Sequence, residues 1–366
     1  MQHVLIQGAG IAGAVLAFWL QRLGFAITFV ERSARPRSGG QAVDVRGTAL
    51  EVIARMDLLD ELNAQRTRFL GMLVYDEKGH EFERVANRTI GSRPEDGDIE
   101  LFRDDLSRAL YAGVGSAPTF IFGDEIAGLH ESSSGVHVTL ASGRRLQADF
   151  VVGADGVNSG LRRLVFGTDA ALLRHLGFYG GFYSRPNIPR LEGWQLVVRT
   201  GERGVILYPS RNNAELRVCL YFATGELDPA SGDPRVQREL FKNHCGGIGG
   251  PFEAAVEAID RAEDVYASPM AQVQMERWSK GRVVLVGDAA YCPSPLTGQG
   301  TSLALVGAYV LAQELARGGR IEDRMTRYEH RLRAFVTANQ AIDAATGRGI
   351  DLAKNAMDLD ADPDRS

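Results

Sequence analysis

The sequence is poor in cysteine and has no long apolar run. Its 366 residues include Cys219, Cys245 and Cys292, which lack metal-ligand spacing and are too few for a disulfide framework. The longest apolar stretch near the C-terminus, residues 303–315, is too short and too rich in small residues to span a bilayer. No secretory leader precedes the first predicted strand, which begins at residue 4. We therefore expect a cytoplasmic protein with no metal and no membrane span.

Positive charge is not in excess either. The chain has 41 Lys and Arg against 46 Asp and Glu, a formal net charge of −5, and no basic run. This balance argues against a nucleic-acid-binding surface. Hydrophobic residues make up 45% of the chain, which is ample core material. Its length allows about two domains of ordinary size.

The N-terminal residues predict a phosphate-binding strand–helix–strand unit. An apolar strand at residues 4–6 leads into Gly8, Gly10 and Gly13, a helical stretch follows, and a second strand ends at Glu31. In such a unit the three glycines permit a tight turn, backbone approach to a pyrophosphate, and close helix–strand packing. The helix N-terminus then faces the phosphates, and the acid can accept ribose hydroxyls. A plain glycine-rich turn would leave Glu31 unexplained. The predicted dinucleotide contacts are Gly8, Gly10, Ile11, Ala12, Gly13, Glu31 and Arg32.

The loop from Ser33 to Gly47 follows the predicted acid directly. Pro36 and a glycine pair prevent regular structure through its middle. The loop carries Arg37, Asp44 and Arg46, so it can fold back over the cofactor, although a solvated surface loop is also consistent with its composition. Thr48 can cap the helix that comes next.

Further along the chain, strands and turns alternate. Residues 72–75 and 80–85 predict a hairpin, and residues 119–148 predict a four-strand meander. Two continuous apolar runs, at residues 150–154 and 283–286, predict buried strands that end at Asp155-Gly156 and at Gly287-Asp288. Ligands bind at such strand ends in open α/β sheets. Residues 175–271 are β-rich, and the tail after residue 358 is expected to fray.

The β-rich region contains a strand with two distinct faces. Leu216, Val218, Leu220 and Phe222 alternate with Arg217, Cys219 and Tyr221. The second set is either half-solvated or lines a cavity.

Three signals stand in one order: the glycine loop with Glu31, Asp155-Gly156, and Gly287-Asp288 leading to residues 298–301. Together they resemble the single-component FAD-dependent aromatic hydroxylases with the p-hydroxybenzoate hydroxylase fold, and among these the tetracycline-inactivating monooxygenases. The resemblance covers nearly the whole chain. It implies an α/β fold, with an FAD-binding Rossmann-like domain of the glutathione-reductase type, an inserted β-sheet substrate domain and C-terminal helices. The expected FAD-binding residues are 1–70, 99–172 and 273–320; residues 71–98 and 173–272 form the substrate domain, and residues 321–358 the C-terminal helix.

The resemblance also implies individual roles. Asp288 matches the acid on the FAD ribityl chain, and residues 298–301 match the segment beside the flavin pyrimidine ring. Pro295 matches a proline at the reactive face and is a catalytic candidate together with Arg217. Arg37 matches an arginine assigned to NADPH, with NADH as a possible substitute. We expect Asp155 to shape its turn and to pair with arginines. The remaining expected cofactor contacts are Asp44, Arg46, Arg103, Gly156, Gly298, Gln299, Gly300 and Thr301.

Two residues depart from the family pattern. Tyr291 stands where histidine is usual, and Ser302 stands where asparagine is usual. Serine can still cap the following helix, so we expect flavin binding to survive. The chain has no second nicotinamide-binding unit, which fits the family.

The implied activity is that of an FAD-dependent monooxygenase. It would use NAD(P)H and O₂ to hydroxylate an aromatic or polyketide-like small molecule through a C4a-hydroperoxyflavin. The alternatives are a related flavin reductase or oxidase without oxygen insertion, and a degenerate flavoprotein without turnover. We expect a monomer or weak homodimer. The candidate substrate contacts, each equally consistent with ordinary sheet surface, are Tyr183, Arg185, Tyr208, Cys219 and Tyr221.

Overall fold

The structure is a computed structural model that describes residues 1–35, 40–89, 97–188, 190–225, 233–341 and 356–361. Arg37, the expected NADPH contact, lies outside these residues. None of the described helices is long and apolar enough to cross a membrane.

The described helices alternate with strands along the chain. The helices are α1 (Ile11–Arg22), α2 (Thr48–Arg55), α3 (Leu59–Ala64), α4 (Arg103–Val114), α5 (Gly160–Phe166), α6 (Asp169–Leu172), α7 (Pro234–Cys245), α8 (Glu253–Glu257), α9 (Asp288–Tyr291), α10 (Gly300–Ala316) and α11 (Ile321–Gln340). Short 3-10 helices span Ala258–Arg261 and Pro295–Thr297. The strands are β1 (His3–Gln7), β2 (Ala26–Glu31), β3 (Ala42–Val45), β4 (Gly71–Tyr75), β5 (Glu81–Ala86), β6 (Ile99–Phe102), β7 (Thr119–Phe122), β8 (Ile126–Ser132), β9 (Gly135–Leu140), β10 (Arg145–Ala148), β11 (Phe150–Gly153), β12 (Leu173–Pro186), β13 (Trp194–Arg199), β14 (Arg203–Pro209), β15 (Glu215–Ala223), β16 (Tyr266–Val273), β17 (Ser279–Lys280) and β18 (Val283–Leu285).

A six-stranded sheet carries the glycine loop. Its order is β17-β18-β11-β1-β2-β7, and all neighbours are parallel except β17. The apolar residues of β1 are fully buried, and α1 packs against α10 and α4. Because the strands are parallel, the carboxyl ends of β1, β2, β11 and β18 meet at one edge of the sheet. These ends lead into Gly8, Glu31, Asp155 and Asp288, so the predicted cofactor residues converge there.

A seven-stranded sheet forms a second layer. Its order is β16-β12-β15-β14-β13-β4-β5, and only the β13–β4 pair is parallel. One face, which we call the helix-covered face, packs Val218, Leu220 and Phe222 of β15 in one cluster with Phe241 of α7 and Val256 of α8.

The predicted four-strand meander was wrong in its first strand. β7 joins the edge of the parallel sheet beside β2, where Phe120 stacks on Phe29 at 4.8 Å between ring centroids. Only β8, β9 and β10 form an antiparallel sheet of their own. The apolar face of β7 therefore finds its partner in β2, earlier in the chain.

Two further expectations were wrong at helix and chain ends. Gly47, not Thr48, caps α2, and the Thr48 hydroxyl instead accepts a hydrogen bond from the Met357 N–H at 2.8 Å. The tail does not fray directly after residue 358, because Leu359 is 3% exposed and Asp360 pairs with Arg55 at 2.7 Å. One buried leucine and one solvent-exposed ion pair thus hold a segment that is polar in composition.

Candidate active site

Two of the three glycines in the glycine loop lie against other backbone atoms, and the third borders open space. Gly8 has a φ of +103°, and a Cβ there would overlap the carbonyl oxygen of Ala154. A Cβ on Gly13 would overlap the carbonyl oxygen of Gly8. A Cβ on Gly10, in contrast, would meet nothing within 4 Å among the described atoms. Packing therefore requires the first and third glycines, while the second leaves space for a ligand beside the start of α1.

Glu31 ties this loop to the end of β2. Its carboxylate accepts hydrogen bonds from the N–H groups of Ala9 and Ser33, each at 2.8 Å. The Tyr111 hydroxyl donates to the Ala9 carbonyl and fixes the loop from α4. In dinucleotide-binding units a carboxylate at this strand end accepts hydrogen bonds from ribose hydroxyls. Arg32, which follows, is exposed.

The Asp155 carboxylate holds its turn through hydrogen bonds, and none of its partners among the described residues is an arginine. It accepts from the Gln7 amide at 2.7 Å, from the Ser159 hydroxyl at 2.5 Å and from the Leu161 N–H at 3.2 Å. The expected pairing with arginine was wrong, because the guanidinium of Arg162 is taken up by Asp169 and by backbone carbonyls. Directly after Asp155, Gly156 has a φ of +81°.

Asp288 lies at the meeting of α9 and α10. Its Oδ1 stands 3.7 Å from the position that a Cβ on Gly300 would take, so the carboxylate borders the first residue of α10. Burial raises the pKa of Asp288 to about 6, while a hydrogen bond with Cys292 and the charge of Arg103 oppose the rise. A ligand that donates hydrogen bonds to this carboxylate would stabilise its charged form.

The loop before α10 contains a strained residue. Ser294 has φ +75° and ψ 147°, a region that is essentially restricted to glycine, and it is 1% exposed. Its hydroxyl accepts from the Leu296 N–H, which starts the short helix at Pro295. Pro295 itself is exposed at the tip of the loop, and Gly298 follows with a φ of +66°. The surrounding structure thus holds the loop in one unusual conformation.

Ser302 does not cap α10, so that expectation was wrong. Gln299 occupies the capping position, and the Ser302 hydroxyl accepts from the Arg46 N–H at 3.2 Å. Thr301 is half-buried in the first turn. The serine therefore connects α10 to Arg46, the residue directly after β3, and does not cap its own helix.

Tyr291 fits a notch in α10. A Cβ on Gly307 would overlap the Tyr291 hydroxyl, and that hydroxyl lies 3.2 Å from the hydroxyl of Tyr328. The Tyr328 hydroxyl in turn donates to the Leu285 carbonyl at 3.0 Å. The tyrosine that replaces the usual histidine is thus a packed core residue with a hydrogen-bond partner.

The pairing of β3 with β6 brings four charged residues together near the start of α10. Arg46 pairs with Asp44 at 2.9 Å and with Asp98 at 3.2 Å, and Asp44 lies opposite Glu100 in the strand ladder. Arg103, the first residue of α4, donates its N–H to the Gln41 carbonyl at 3.1 Å beside this ladder.

The face of the seven-stranded sheet opposite the helix-covered face contacts this region; we call it the inner face and define it by Tyr208, Arg217, Cys219 and Tyr221. The Tyr208 hydroxyl accepts from the Ala42 N–H of β3 at 3.1 Å. Burial raises the pKa of Cys219 and of Tyr221 each to about 12. At neutral pH these groups are therefore uncharged hydrogen-bonding groups and not bases.

Arg217 is held by acids on the inner face. Its guanidinium lies 3.6 Å from Asp104 and 3.3 Å from Glu215, and it stands over the ring of Phe102. Its charge is therefore largely compensated within the protein.

Tyr183 and Arg185 are not brought together with the other substrate candidates. Tyr183 is 3% exposed and donates its hydroxyl proton to the Ala255 carbonyl of α8. Arg185 pairs in register with Leu216, so it shares the helix-covered face. Both residues therefore point away from the inner face.

Asp98, Glu100 and Phe102 were missed by the sequence reasoning. Glu100 and Phe102 lie on β6 and Asp98 directly precedes it, but the partners of Glu100 and Phe102, which are Asp44 and Tyr208, come from β3 and β14. β3 itself was not predicted, so no signal in the sequence indicated which residues β6 would face.

Two buried polar atoms test whether these residues fit a polar cofactor. Oδ1 of Asp44 and Nε2 of Gln299 have no hydrogen-bond partner among the described residues, although the two residues are only 9% and 3% exposed. A buried polar atom left unpaired costs roughly 1–3 kcal/mol. One of these atoms accepts and the other donates, so they suit a ligand that has both donors and acceptors. With the open Gly10 and the acids Glu31 and Asp288, the site fits FAD.

Comparisons with known proteins agree with this chemistry. A family model described as an FAD binding domain matches residues 1–343. An uncharacterized protein of Mycobacterium tuberculosis is 39% identical over 342 residues, 93% of this chain and 92% of that protein. A flavin-dependent monooxygenase of Legionella longbeachae is 34% identical over 338 residues, 92% of this chain and 86% of that protein.

The fold is also found among solved structures. The crystal structure of tetracycline destructase Tet(51) matches with a TM-score of 0.85 at 32% identity, over 93% of this chain and 88% of that chain. The predicted fold class and the family resemblance are thereby confirmed. The chain therefore belongs to the FAD-binding domain family and, within it, to the flavin-dependent monooxygenases.

Proposed function

We propose that this monooxygenase uses NADPH and O₂ to hydroxylate an aromatic or polyketide-like molecule bound at the inner face. The observation that carries the proposal is the contact between Tyr208 and Ala42, 3.1 Å long. It fastens the seven-stranded sheet to β3, which carries Asp44 and is followed directly by Arg46. A substrate on the inner face would thus lie next to the cofactor residues.

FAD would occupy the carboxyl edge of the parallel sheet. Gly10 and the N–H groups of α1 would hold the pyrophosphate, Glu31 the adenosine ribose and Asp288 the ribityl hydroxyls. The chemistry that FAD supplies when bound is hydride acceptance from a reduced nicotinamide and activation of O₂. The positive end of the α10 dipole would favour an anionic flavin ring. The other proposed cofactor contacts are Gly8, Ile11, Ala12, Gly13, Arg32, Asp44, Arg46, Arg103, Asp155, Gly156, Pro295, Gly298, Gln299, Gly300 and Thr301.

The inner face would orient the substrate and exclude water. Tyr208, Cys219 and Tyr221 offer uncharged hydrogen-bonding groups, and Ile206 adds apolar surface between them. Arg217, whose charge is compensated, would orient a phenol oxygen and not bind a free carboxylate. This set of groups favours a neutral polycyclic phenol over a small benzoate. Tyr183 and Arg185 are not part of the proposed pocket, because they lie on the helix-covered face.

The chain divides into two domains, and each segment is assigned according to the sheet that its strands join. We propose residues 1–70, 99–172 and 273–320 as the FAD-binding domain, residues 71–98 and 173–272 as the substrate domain, and residues 321–358 as a C-terminal helix. Strands β4 and β5 support the second domain, because β4 pairs with β13 and β5 pairs with β4, although both lie far from β13 in the chain. Arg37 remains the proposed NADPH contact. A cytoplasmic monomer or weak homodimer remains our proposal for location and assembly.

The test is turnover with a panel of phenols. Purified protein reconstituted with FAD is mixed with NADPH and each phenol, and NADPH oxidation, O₂ uptake and hydrogen peroxide are measured together. We expect a polycyclic phenol to accelerate NADPH oxidation with little peroxide. Protein that binds no FAD would contradict the proposal, and so would substrate reduction without O₂ uptake. NADH in place of NADPH tests the choice of donor.

A further inference from the structure

Four charged side chains are buried together between β3 and β6. Asp44, Arg46, Asp98 and Glu100 are only 9%, 8%, 6% and 6% exposed. We call them the charge cluster. The guanidinium pairs with Asp44 and Asp98, and Glu100 stands opposite Asp44 across the ladder. The charge cluster thus contains three carboxyl groups and one guanidinium, so full ionisation of these four groups would give it a net negative charge.

Burial of net charge is unfavourable, and a carboxyl group can avoid it by keeping its proton. Burial raises the pKa of Asp44 to about 6, against the attraction of Arg46. Burial and then the charge of Asp44 raise the pKa of Glu100 to about 7, against a hydrogen bond from Thr67. Burial and the neighbouring carboxyl group of Asp44 therefore both favour the protonated form of Glu100.

The charge cluster lies directly behind the Gly298 turn. Nη1 of Arg46 is 3.2 Å from the position that a Cβ on Gly298 would take. The backbone N–H of Arg46 donates to the Ser302 hydroxyl in the first turn of α10. Arg46 thus supports both the turn and the helix start that are proposed to border the flavin.

The groups that face Glu100 come from several elements. Thr67 donates its hydroxyl proton to Glu100 at 2.7 Å, and Thr89 forms a further hydrogen bond with it. Tyr208 of β14 lies close enough for the charge of Glu100 to oppose its ionisation, in addition to the larger effect of burial. The Arg66 guanidinium donates to the backbone carbonyl of Asp98 and not to its carboxyl group.

We propose that the charge cluster is a proton-binding site in which Arg46 positions the Gly298 turn and the charge of the carboxyl groups sets how strongly the site favours reduced flavin. The inference rests on the proposed placement of FAD. When Glu100 loses its proton, the charge cluster becomes more negative and opposes the negative charge of reduced flavin. Reduction should therefore be disfavoured as the pH rises through neutrality, beyond the ordinary dependence of free flavin.

The experiment is a reductive titration of the bound FAD against a reference dye, without NADPH or substrate. Wild type and Glu100→Gln are compared at about pH 6 and about pH 8.5. We expect the two proteins to coincide at the lower pH, where Glu100 is protonated. At the higher pH, Glu100→Gln should favour reduced flavin about tenfold more than wild type, because one buried charge is missing.

Two variants serve as controls for this titration. Glu83→Gln, on the exposed strand β5, should follow wild type at both pH values. Thr67→Val removes a hydrogen bond that favours ionised Glu100, so the onset of the effect should move to higher pH. If Glu100→Gln is not stably folded, Thr67→Val decides the question by the same shift.

Arg46→Lys tests the positioning role. It keeps the charge and loses the planar fork, so we expect weaker FAD binding with the pH dependence retained. Flavin that binds normally in all variants and shows coincident titrations at both pH values would overturn this inference alone. Wild-type protein that binds no FAD would overturn the proposed function as well.

Discussion

The glycine loop and the charge cluster border the same proposed cofactor site, but they are built by opposite means. The loop consists of neutral backbone, and Gly8 and Gly13 are required because other backbone atoms occupy the Cβ positions. The charge cluster consists of charged side chains on or directly beside β3 and β6, and Arg46 is held by Asp44 and Asp98. The loop therefore tolerates no added atom at Gly8 or Gly13, whereas the charge cluster tolerates changes that preserve its charge balance.

The largest expected effect is on the charge cluster. Arg46→Met removes the cation that faces three buried carboxyl groups, and breaking such a set costs about 3–5 kcal/mol. The loss should be greater at neutral than at acidic pH, because protonation of Asp44 and Glu100 removes the uncompensated charge. Urea unfolding at the two pH values measures it, with Arg84→Met on exposed β5 as the control. An equal loss at both pH values would contradict the electrostatic account.

Gly8→Ala tests the packed part of the loop. The residue has a positive φ and its Cβ would overlap Ala154, so we expect about 2–4 kcal/mol of lost stability without cofactor. Gly24→Ala is the matched control, because Gly24 also has a positive φ but has open space around its Cβ. If both variants unfold at the same urea concentration, the close approach to Ala154 contributes nothing.

Unlike Arg46→Met and Gly8→Ala, Glu100→Gln should increase the stability of the protein at high pH. A carboxyl group whose pKa is raised from 4.5 to about 7 by folding stabilises the protein below its unfolded pKa. That contribution is lost as the pH rises through the folded value. The variant should therefore match wild type near pH 4.5 and be more stable above neutrality by about 1–3 kcal/mol. Thermal unfolding over this range measures the difference, and parallel curves would count against a raised pKa.

Gly10→Ala should have the smallest effect on the fold and a selective effect on the ligand. Its Cβ would meet no described atom within 4 Å, so stability without cofactor should stay within about 1 kcal/mol of wild type. The added methyl group would occupy the space proposed for the pyrophosphate, so FAD affinity should fall about tenfold or more. Flavin fluorescence titration measures the affinity. Unchanged affinity would mean that the pyrophosphate lies elsewhere.

The same contrast explains how much could be predicted from the sequence. The glycine loop, Glu31 and Asp288 are local signals, because each follows directly on a recognisable strand. The charge cluster depends on the pairing of β3 with β6, and β3, with only four residues, is too short to be recognised before its partner is known. The alternation in β15 was readable, but which of its faces α7 and α8 would cover was not. For that reason Tyr183 and Tyr208 were chosen alike, although they lie on opposite faces.

Ser294 shows a further limit of local reasoning. Its positive φ is unfavourable for serine, so the preference of the residue argues against the conformation that the structure holds. The buried hydroxyl and the helix that starts at Pro295 compensate for it. Strain of this kind becomes visible only when the surrounding packing is known.

The most direct test of the monooxygenase assignment is the fate of isotopically labelled O₂. FAD-loaded protein, NADPH and the best phenol from the panel are incubated under labelled O₂, and the product is analysed by mass spectrometry. Our account predicts one labelled oxygen atom in each product molecule and FAD bound throughout. A product without labelled oxygen, or labelled peroxide as the only product, would contradict it.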